Sequence, residues 1–309
     1  MVRSLLSASH RIGVDLGGTK IEVAALGPAG NVVLRRRIAT PASAGYRAIV
    51  DAIAGLVRGV EGELGLEAPV GIGTPGTISP LTGRLKNSNT VCLNGQPLAD
   101  DLGQALERDV RLANDADCLA LSEASDGAGR GAASVFAVIL GTGVGGGVVV
   151  RGELLRGPNG VTGEWGHNPL PWATAYEHPG PVCYCGRRGC VETFLAGGAL
   201  SRELLLRTGH ERTAAEVVAL AERGEPAAAA ALDVYVERLG KALASVINVL
   251  DPEVIVLGGG LSNVDRLLAD VPAVWPRYVF GGEARTRLAR AEHGDSSGVL
   301  GAARLWPLA

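Results

Sequence analysis

Lysine is nearly missing from these 309 residues: Lys20, Lys86 and Lys241 are the only three, and arginine supplies the other basic positions, a compositional habit without mechanistic content. No run approaches the roughly 18 uninterrupted apolar residues of a membrane span, and the apolar piece of MVRSLLSASHR is too short for a signal peptide. A cytoplasmic protein without a membrane partner is expected. A positive excess is missing too: the net charge is −3, with 47% hydrophobic and 20% charged residues, so no electrostatic footprint of a nucleic-acid binder is present. No G-x-x-x-x-G-K-[ST] sequence occurs, which excludes a P-loop enzyme. A redox C-x-x-C is absent as well, because one residue separates Cys183 from Cys185, and five cysteines, an odd number, fit a disulfide scaffold poorly.

What is present is glycine, 45 residues of it, and much of it falls in turns between apolar runs. The length allows two domains of about 100 to 200 residues. Arg11 to Leu16 reads as a buried strand, Gly17-Gly18-Thr19-Lys20 as a turn, Ile21 to Leu26 as a second strand and Asn31 to Ile38 as a third. The pattern returns when Val135 to Leu140 runs into the glycine loop 141–147 and Val148-Val-Val150 leads out, as one unit used twice. Helices are predicted over Asp100 to Arg108, from Asn114-Asp115 through Ser125 with Asn or Asp as the N-cap, and through Leu232, Tyr235, Val236, Leu239, Leu243, Val246, Ile247 and Leu250. Short strands are predicted at Val110 to Ala113 and Val254 to Leu257, the latter ending in Gly258-Gly-Gly260 before another helix. Strands mixed with helices, and hairpins beside crossovers, indicate an α/β protein with mixed sheets.

Gly141-x-Gly143-x-x-Gly146 matches the dinucleotide fingerprint, yet it leads into β-branched Val148-Val-Val150 where that fold requires a helix. A glycine turn between antiparallel strands either serves as a tight hairpin alone or presents backbone N–H groups to a phosphate. Turns 17–20 and 141–147, with the cluster 258–260, point together to a nucleotide, whereas Lys20 reads equally well as a solvated turn residue. Cys183, Cys185 and Cys190 lie within eight positions, and in a reducing compartment such thiols suit a metal better than disulfides. Tetrahedral zinc needs a fourth N or S ligand, and His178 is the nearer histidine in sequence.

Gly13-Val-Asp-Leu-Gly-Gly-Thr-Lys20, Leu112-Ala-Asn-Asp-Ala116, Ile139 to Gly147, Gly163-Glu-Trp-Gly-His167 and Cys183-Tyr-Cys-Gly-Arg-Arg-Gly-Cys190, in this order between about Arg11 and Pro307, resemble the ROK family of bacterial sugar kinases and related repressors. The resemblance implies the two-domain actin-like ATPase (ribonuclease H-like) fold with an interdomain cleft, residues 1–116 plus about 297–309 forming the N-terminal domain and 117–296 a C-terminal domain with a zinc loop. The segment after about Ser297 is then expected to return to the first domain as a helix. Only about ten residues precede the first strand, too few for a repressor's helix-turn-helix, so an enzyme is expected over a sugar-binding regulator.

By the same resemblance Asp115 is the catalytic base, and Asn89, Asn114, Asp115, Glu164, His167 and Glu192 bind a sugar. Gly13, Asp15, Gly17, Gly18, Thr19, Lys20, Gly141, Thr142, Gly143, Val144, Gly145, Gly258, Gly259 and Gly260 would bind ATP, with Asp15 orienting Mg²⁺ through water. His167 joins Cys183, Cys185 and Cys190 on a structural Zn²⁺, leaving its second ring nitrogen for a sugar hydroxyl. The family suggests a homodimer. Three stretches, Leu93 to Leu98, Glu164 to Pro171 and Phe280 to Glu283, resemble the fructokinase and mannokinase branch, so 6-phosphorylation of fructose is the expected activity, mannose and glucose being secondary. N-acetylglucosamine kinase and glucokinase are the alternatives that share the constellation.

Overall fold

The computed structural model describes residues 10–307; residues 1–9, on which the signal-peptide and helix-turn-helix expectations fall, and the last two residues lie outside the described residues. The chain divides into two compact units. The first comprises the chain up to Ser125, Glu153–Thr162 and the segment from Asp295, and the second comprises Asp126–Gly152 and Gly163–Gly294.

In the first unit, β1 (Arg11–Leu16), β2 (Lys20–Leu26) and β3 (Val32–Ala39) precede the helix α1 (Tyr46–Leu64) and the strand β4 (Val70–Thr74). A ribbon of β5 (Thr77–Ile78) and β6 (Leu85–Lys86), the helix α2 (Leu98–Leu106), the strand β7 (Val110–Asn114) and the helix α3 (Asp115–Asp126) follow. The sheet order is β3-β2-β1-β4-β7, with β1 antiparallel to β2 and parallel to β4. Because β1 is central, its apolar residues are covered on both faces, which is why it reads as an unbroken apolar run. The helix α1 buries Ile49, Val50, Ile53, Ala54, Val57 and Val60, one face at helical spacing, and stops at Gly65, whose φ of 66° is the left-handed conformation of a helix C-cap.

The second unit repeats this plan. Here β8 (Ser134–Leu140), β9 (Val144–Val150), β11 (Val254–Gly258) and β12 (Arg287–Arg290) form a sheet in the order β9-β8-β11-β12, while the two-residue strand β10 (Glu153–Leu154) falls in a segment of the first unit. As in the first sheet, an antiparallel β8–β9 hairpin leads a parallel pairing of β8, β11 and β12. Its helices are α4 (Glu192–Leu195), α5 (Gly197–Thr208), α6 (Ala214–Glu222), α7 (Pro226–Leu250) and α8 (Asp265–Val274). The 25-residue α7 carries Pro226 in its first turn, and the Glu225 carboxylate accepts from the N–H groups of Ala227 and Ala228. Arg238 and Lys241 on its buried face meet Glu177 at 2.8 and 2.6 Å, and Arg238 also meets Glu203 at 3.0 Å. Burial alone would raise Glu177, but Lys241, the Thr174 N–H and Arg238 outweigh it and hold the carboxyl at about 2. The loop before the cysteines is thereby fastened to the helix.

The final helix, α9 (Ser297–Ala303), belongs to the first unit and packs backbone against backbone. A Cβ on Gly13 would lie 2.0 Å from the Val299 carbonyl, one on Gly71 1.9 Å from that of Ala302, and one on Gly301 1.8 Å from that of Cys118. The first unit, expected to end at 116, runs to Ser125 and includes residues 153–162, with α3 packed against α9 at Cys118. The expected loop 141–147 is also shorter, since Gly145, Gly146 and Gly147 pair in register with Ile139, Val138 and Ala137 inside β9, leaving 141–143 as the turn.

Candidate active site and metal centre

Asp115 opens α3 where the parallel strand β7 ends, the end of a strand at which α/β folds place reactive groups. Asn114 caps this helix: its Oδ1 accepts from the Asp117 N–H at 2.6 Å, which leaves the side-chain NH₂ as the group able to face a ligand. Asp115 itself is not the cap, and its Oδ1 accepts from the adjacent Ala116 N–H at 2.9 Å. Burial raises the Asp115 carboxyl, an effect that backbone N–H groups partly offset. Asp15, near the end of β1, is held up at about 6 by burial first and then by the charges of Asp115 and Glu22, with Lys20 and Arg37 acting the other way. Glu22 is its cross-strand partner in the β1–β2 register and is buried. Arg37 neutralises Glu22 through an Nε–Oε2 bond of 2.7 Å, and Arg35 through an Nε–Oε1 bond of 2.5 Å. Both arginines lie on β3. A buried carboxylate beside another suits a hydrated divalent cation.

The first glycine turn closes with the Gly17 N–H donating to the Lys20 carbonyl at 2.9 Å, while Thr40 Oγ1 donates to the Gly17 carbonyl at 2.7 Å. Gly17, Gly18, Thr19 and Lys20 lie in or at the edge of this turn, whereas Gly13 lies inside β1, where the approach of α9 requires glycine. Asn89 is exposed, and the neighbouring Thr90 is buried. A cavity of about 250 Å³ adjoins Asn114 and is lined by Thr74, Ile78, Asp117, Arg156 and Thr162, among others. Arg156 and Thr162 escaped sequence reasoning because only the fold returns their segment to the first unit.

In the second unit the turn 141–143 closes with the Gly141 N–H donating to the Gly143 carbonyl at 3.0 Å, and Thr142 is exposed at its tip. Val144 and Gly145 belong to β9. Gly258 ends β11, and Gly259 takes a φ of 80° because a Cβ there would lie 2.5 Å from the Leu140 carbonyl. Gly260 begins a 3₁₀ turn in open space.

His167, Cys183, Cys185 and Cys190 come together with their ligand atoms all within 4.8 Å of one another. Tetrahedral zinc with ordinary bond lengths requires about 3.8 Å between sulfurs and about 3.6 Å between sulfur and nitrogen. The Cys185 and Cys190 sulfurs are 3.7 Å apart, and Cys183 Sγ is 3.6 Å from His167 Nδ1. Burial and the two neighbouring thiols push Cys190 up to about 12 and burial raises Cys183, whereas the Arg187 N–H lowers Cys185. Three such sulfurs ionise together only around a cation. The residues therefore fit zinc. His178 is exposed and outside the cluster. The second ring nitrogen of His167, expected to meet a sugar hydroxyl, lies 3.0 Å from the Tyr184 hydroxyl and 4.0 Å from Glu164. Glu192, also expected on the sugar, sends Oε2 to the Val144 N–H at 3.0 Å.

Residues 11–308 match the model of the ROK family. An N-acetyl-D-glucosamine kinase of Salmonella gallinarum is 37% identical over 297 residues, covering 95% of this chain and 98% of the relative. Among solved structures, a ROK hexokinase from Thermus thermophilus superposes with a TM-score of 0.84 at 34% identity, covering 95% of this chain and 96% of that one. A ROK family glucokinase from Streptomyces griseus, crystallised with glucose and AMPPNP, gives a TM-score of 0.77 at 29% identity over 96% and 98% of the two chains. The α/β architecture is accordingly the actin-like ATPase fold. The chain belongs to the ROK family and is a sugar kinase.

Proposed function

We propose that this protein transfers the γ-phosphoryl group of ATP to the 6-hydroxyl of a hexose, and that N-acetyl-D-glucosamine is the hexose it serves best. The observation that carries the chemistry is Asp115, which opens α3 at the end of β7 with its carboxyl raised by the protein around it, so that it accepts a hydroxyl proton more readily than an ordinary aspartate would. Asn114, with its oxygen committed to the helix cap, offers NH₂ donors to a sugar oxygen. Turns 17–20 and 141–143 offer backbone N–H groups to phosphate oxygens. Asp15 would hold a hydrated Mg²⁺, which would supply the neutralising charge that phosphate oxygens require. Phosphoryl transfer asks the protein mainly to position and to balance charge, which these groups do. His167, Cys183, Cys185 and Cys190 hold a structural zinc, and Glu164 stands beside the imidazole as a sugar ligand.

The preference for N-acetyl-D-glucosamine follows the relative at 37% identity over nearly the whole chain. Fructose, favoured by three loop stretches, is the second reading. Two of those stretches have other duties: Asn94 braces Ser88 through bonds of 2.8 and 2.9 Å, and Phe280 is 95% exposed. ADP formation measured across a panel of hexoses with ATP and Mg²⁺ tests both. The highest kcat/KM is expected for N-acetyl-D-glucosamine. A maximum at fructose overturns the substrate assignment and keeps the kinase, and no ADP with any hexose would leave a binding protein.

A further inference from the structure

Glu192 follows the last cysteine of the metal cluster by two residues, and its carboxylate faces two ways. Oε1 lies 3.8 Å from Cys183 Sγ. Oε2 accepts the Val144 N–H at 3.0 Å, and a Cβ on Gly143 would lie only 2.8 Å from that oxygen. Glycine at 143 is thus what lets the carboxylate reach the backbone of the turn. The Gly197 N–H, five residues further on, donates to the Gly141 carbonyl at 2.8 Å, so the turn is braced at both ends by the segment that leaves the cysteines. The start of that segment is itself pinned, with the Val191 N–H donating to the Asn168 carbonyl at 2.9 Å next to His167.

We propose that Glu192 is a positioning residue for the nucleotide, a strut through which the metal loop holds turn 141–144 in the shape that receives phosphate. This rests on the assignment of that turn to ATP. It adds to the sugar-ligand role expected of Glu192, because the carboxylate contacts in the structure run to the turn and to Cys183. A glutamine at 192 keeps an oxygen acceptor for the Val144 N–H, and an alanine does not. The loss of one hydrogen bond to a charged acceptor corresponds to roughly a tenfold to hundredfold change in a binding constant.

The test is calorimetric titration of the full chain with AMPPNP and Mg²⁺, with zinc content and thermal melting recorded for each variant. Glu192→Ala is expected to weaken AMPPNP at least about tenfold, and Glu192→Gln to stay within about threefold of wild type, with zinc retained in both. Gly143→Ala, which crowds the same oxygen, should weaken AMPPNP similarly, and the double variant should be no worse than either single one. Wild-type AMPPNP affinity in Glu192→Ala, or equal losses in the alanine and glutamine variants, would overturn the strut. Failure of the wild type to bind AMPPNP would instead remove the nucleotide assignment of the turn. If Glu192→Ala does not fold, Gly143→Ala and Glu192→Gln still decide the matter, since the strut requires the first to lose affinity and the second to keep it.

Discussion

At the scale of single residues, two aspartates with raised carboxyls do different work. Asp115 is raised by burial and tied to a neighbouring N–H, and its replacement by asparagine keeps the shape while removing the proton acceptor. Asp115→Asn is therefore expected to lower kcat by roughly a hundredfold to ten-thousandfold with an unchanged circular dichroism spectrum; a variant that retains most of its kcat would remove the base assignment. Asp15 sits at about 6, well above the ordinary carboxylate value, because burial and the charges of Asp115 and Glu22 oppose its ionisation. A carboxyl raised on folding contributes stability that is fully present below its unfolded value, near pH 4, and lost as the pH rises through about 6. Denaturant melts of wild type and Asp15→Asn without magnesium should show the variant gaining on wild type by roughly 3 kcal/mol across that window. A difference that stays flat from pH 4 to 7 would show that Asp15 is not raised.

At the scale of elements, α9 is seated by glycines on both sides of its contacts, Gly301 in the helix and Gly13 and Gly71 in the strands. Gly301 meets the Cys118 carbonyl of α3, and Gly13 and Gly71 let β1 and β4 approach α9, so the nearest partner atom is a backbone carbonyl in each case and cannot rotate away. Gly301→Ala should cost about 3 kcal/mol in urea unfolding, whereas Gly55→Ala, on α1 with open space around it, should stabilise by about 0.5–1 kcal/mol. Equal stabilities would contradict the packing. The same contacts explain what was legible in the sequence. The strand Arg11–Leu16 and the long helix Pro226–Leu250 declare themselves through periodicity, and Gly17-Gly18 through turn chemistry. The strand Val70–Thr74 does not, because Gly71 and Gly73 look like loop glycines until α9 and α3, more than forty residues away, are in place. The metal ligands were visible as spacing, yet Glu177 and its partners Arg238 and Lys241, 61 and 64 residues apart in sequence, carry no local signal at all. The contact of Glu192 with turn 141–144 was not legible, since sequence order places it near the cysteines and says nothing of that turn.

At the scale of the whole molecule, one topology is used twice, a hairpin followed by two parallel strands, and each copy puts a glycine turn between its first two strands. The copies differ in what stabilises them. The first unit has a core built around β1, β4, α1 and α2, closed by α9, and no cluster of three or more metal-ligating side chains is found in it among the described residues. The second has its own core around β8, β11 and α7, and carries between β9 and α4 a loop too poor in buried apolar side chains to order itself without the cysteines and the Glu177 network. Because a metal bound only by the folded form adds its binding free energy to stability, removing it should act where the ligands are. Elemental analysis is expected to give one zinc per chain, and treatment with a strong chelator should release it. Hydrogen exchange should then quicken in residues 165–192 and in turn 141–144, which that loop braces, while β1, β4 and β7 keep their protection. Zinc-free protein with unchanged exchange in residues 165–192 would mean that the thiols hold no structural metal. Loosening that spread equally to the first sheet would mean that the two units do not unfold separately.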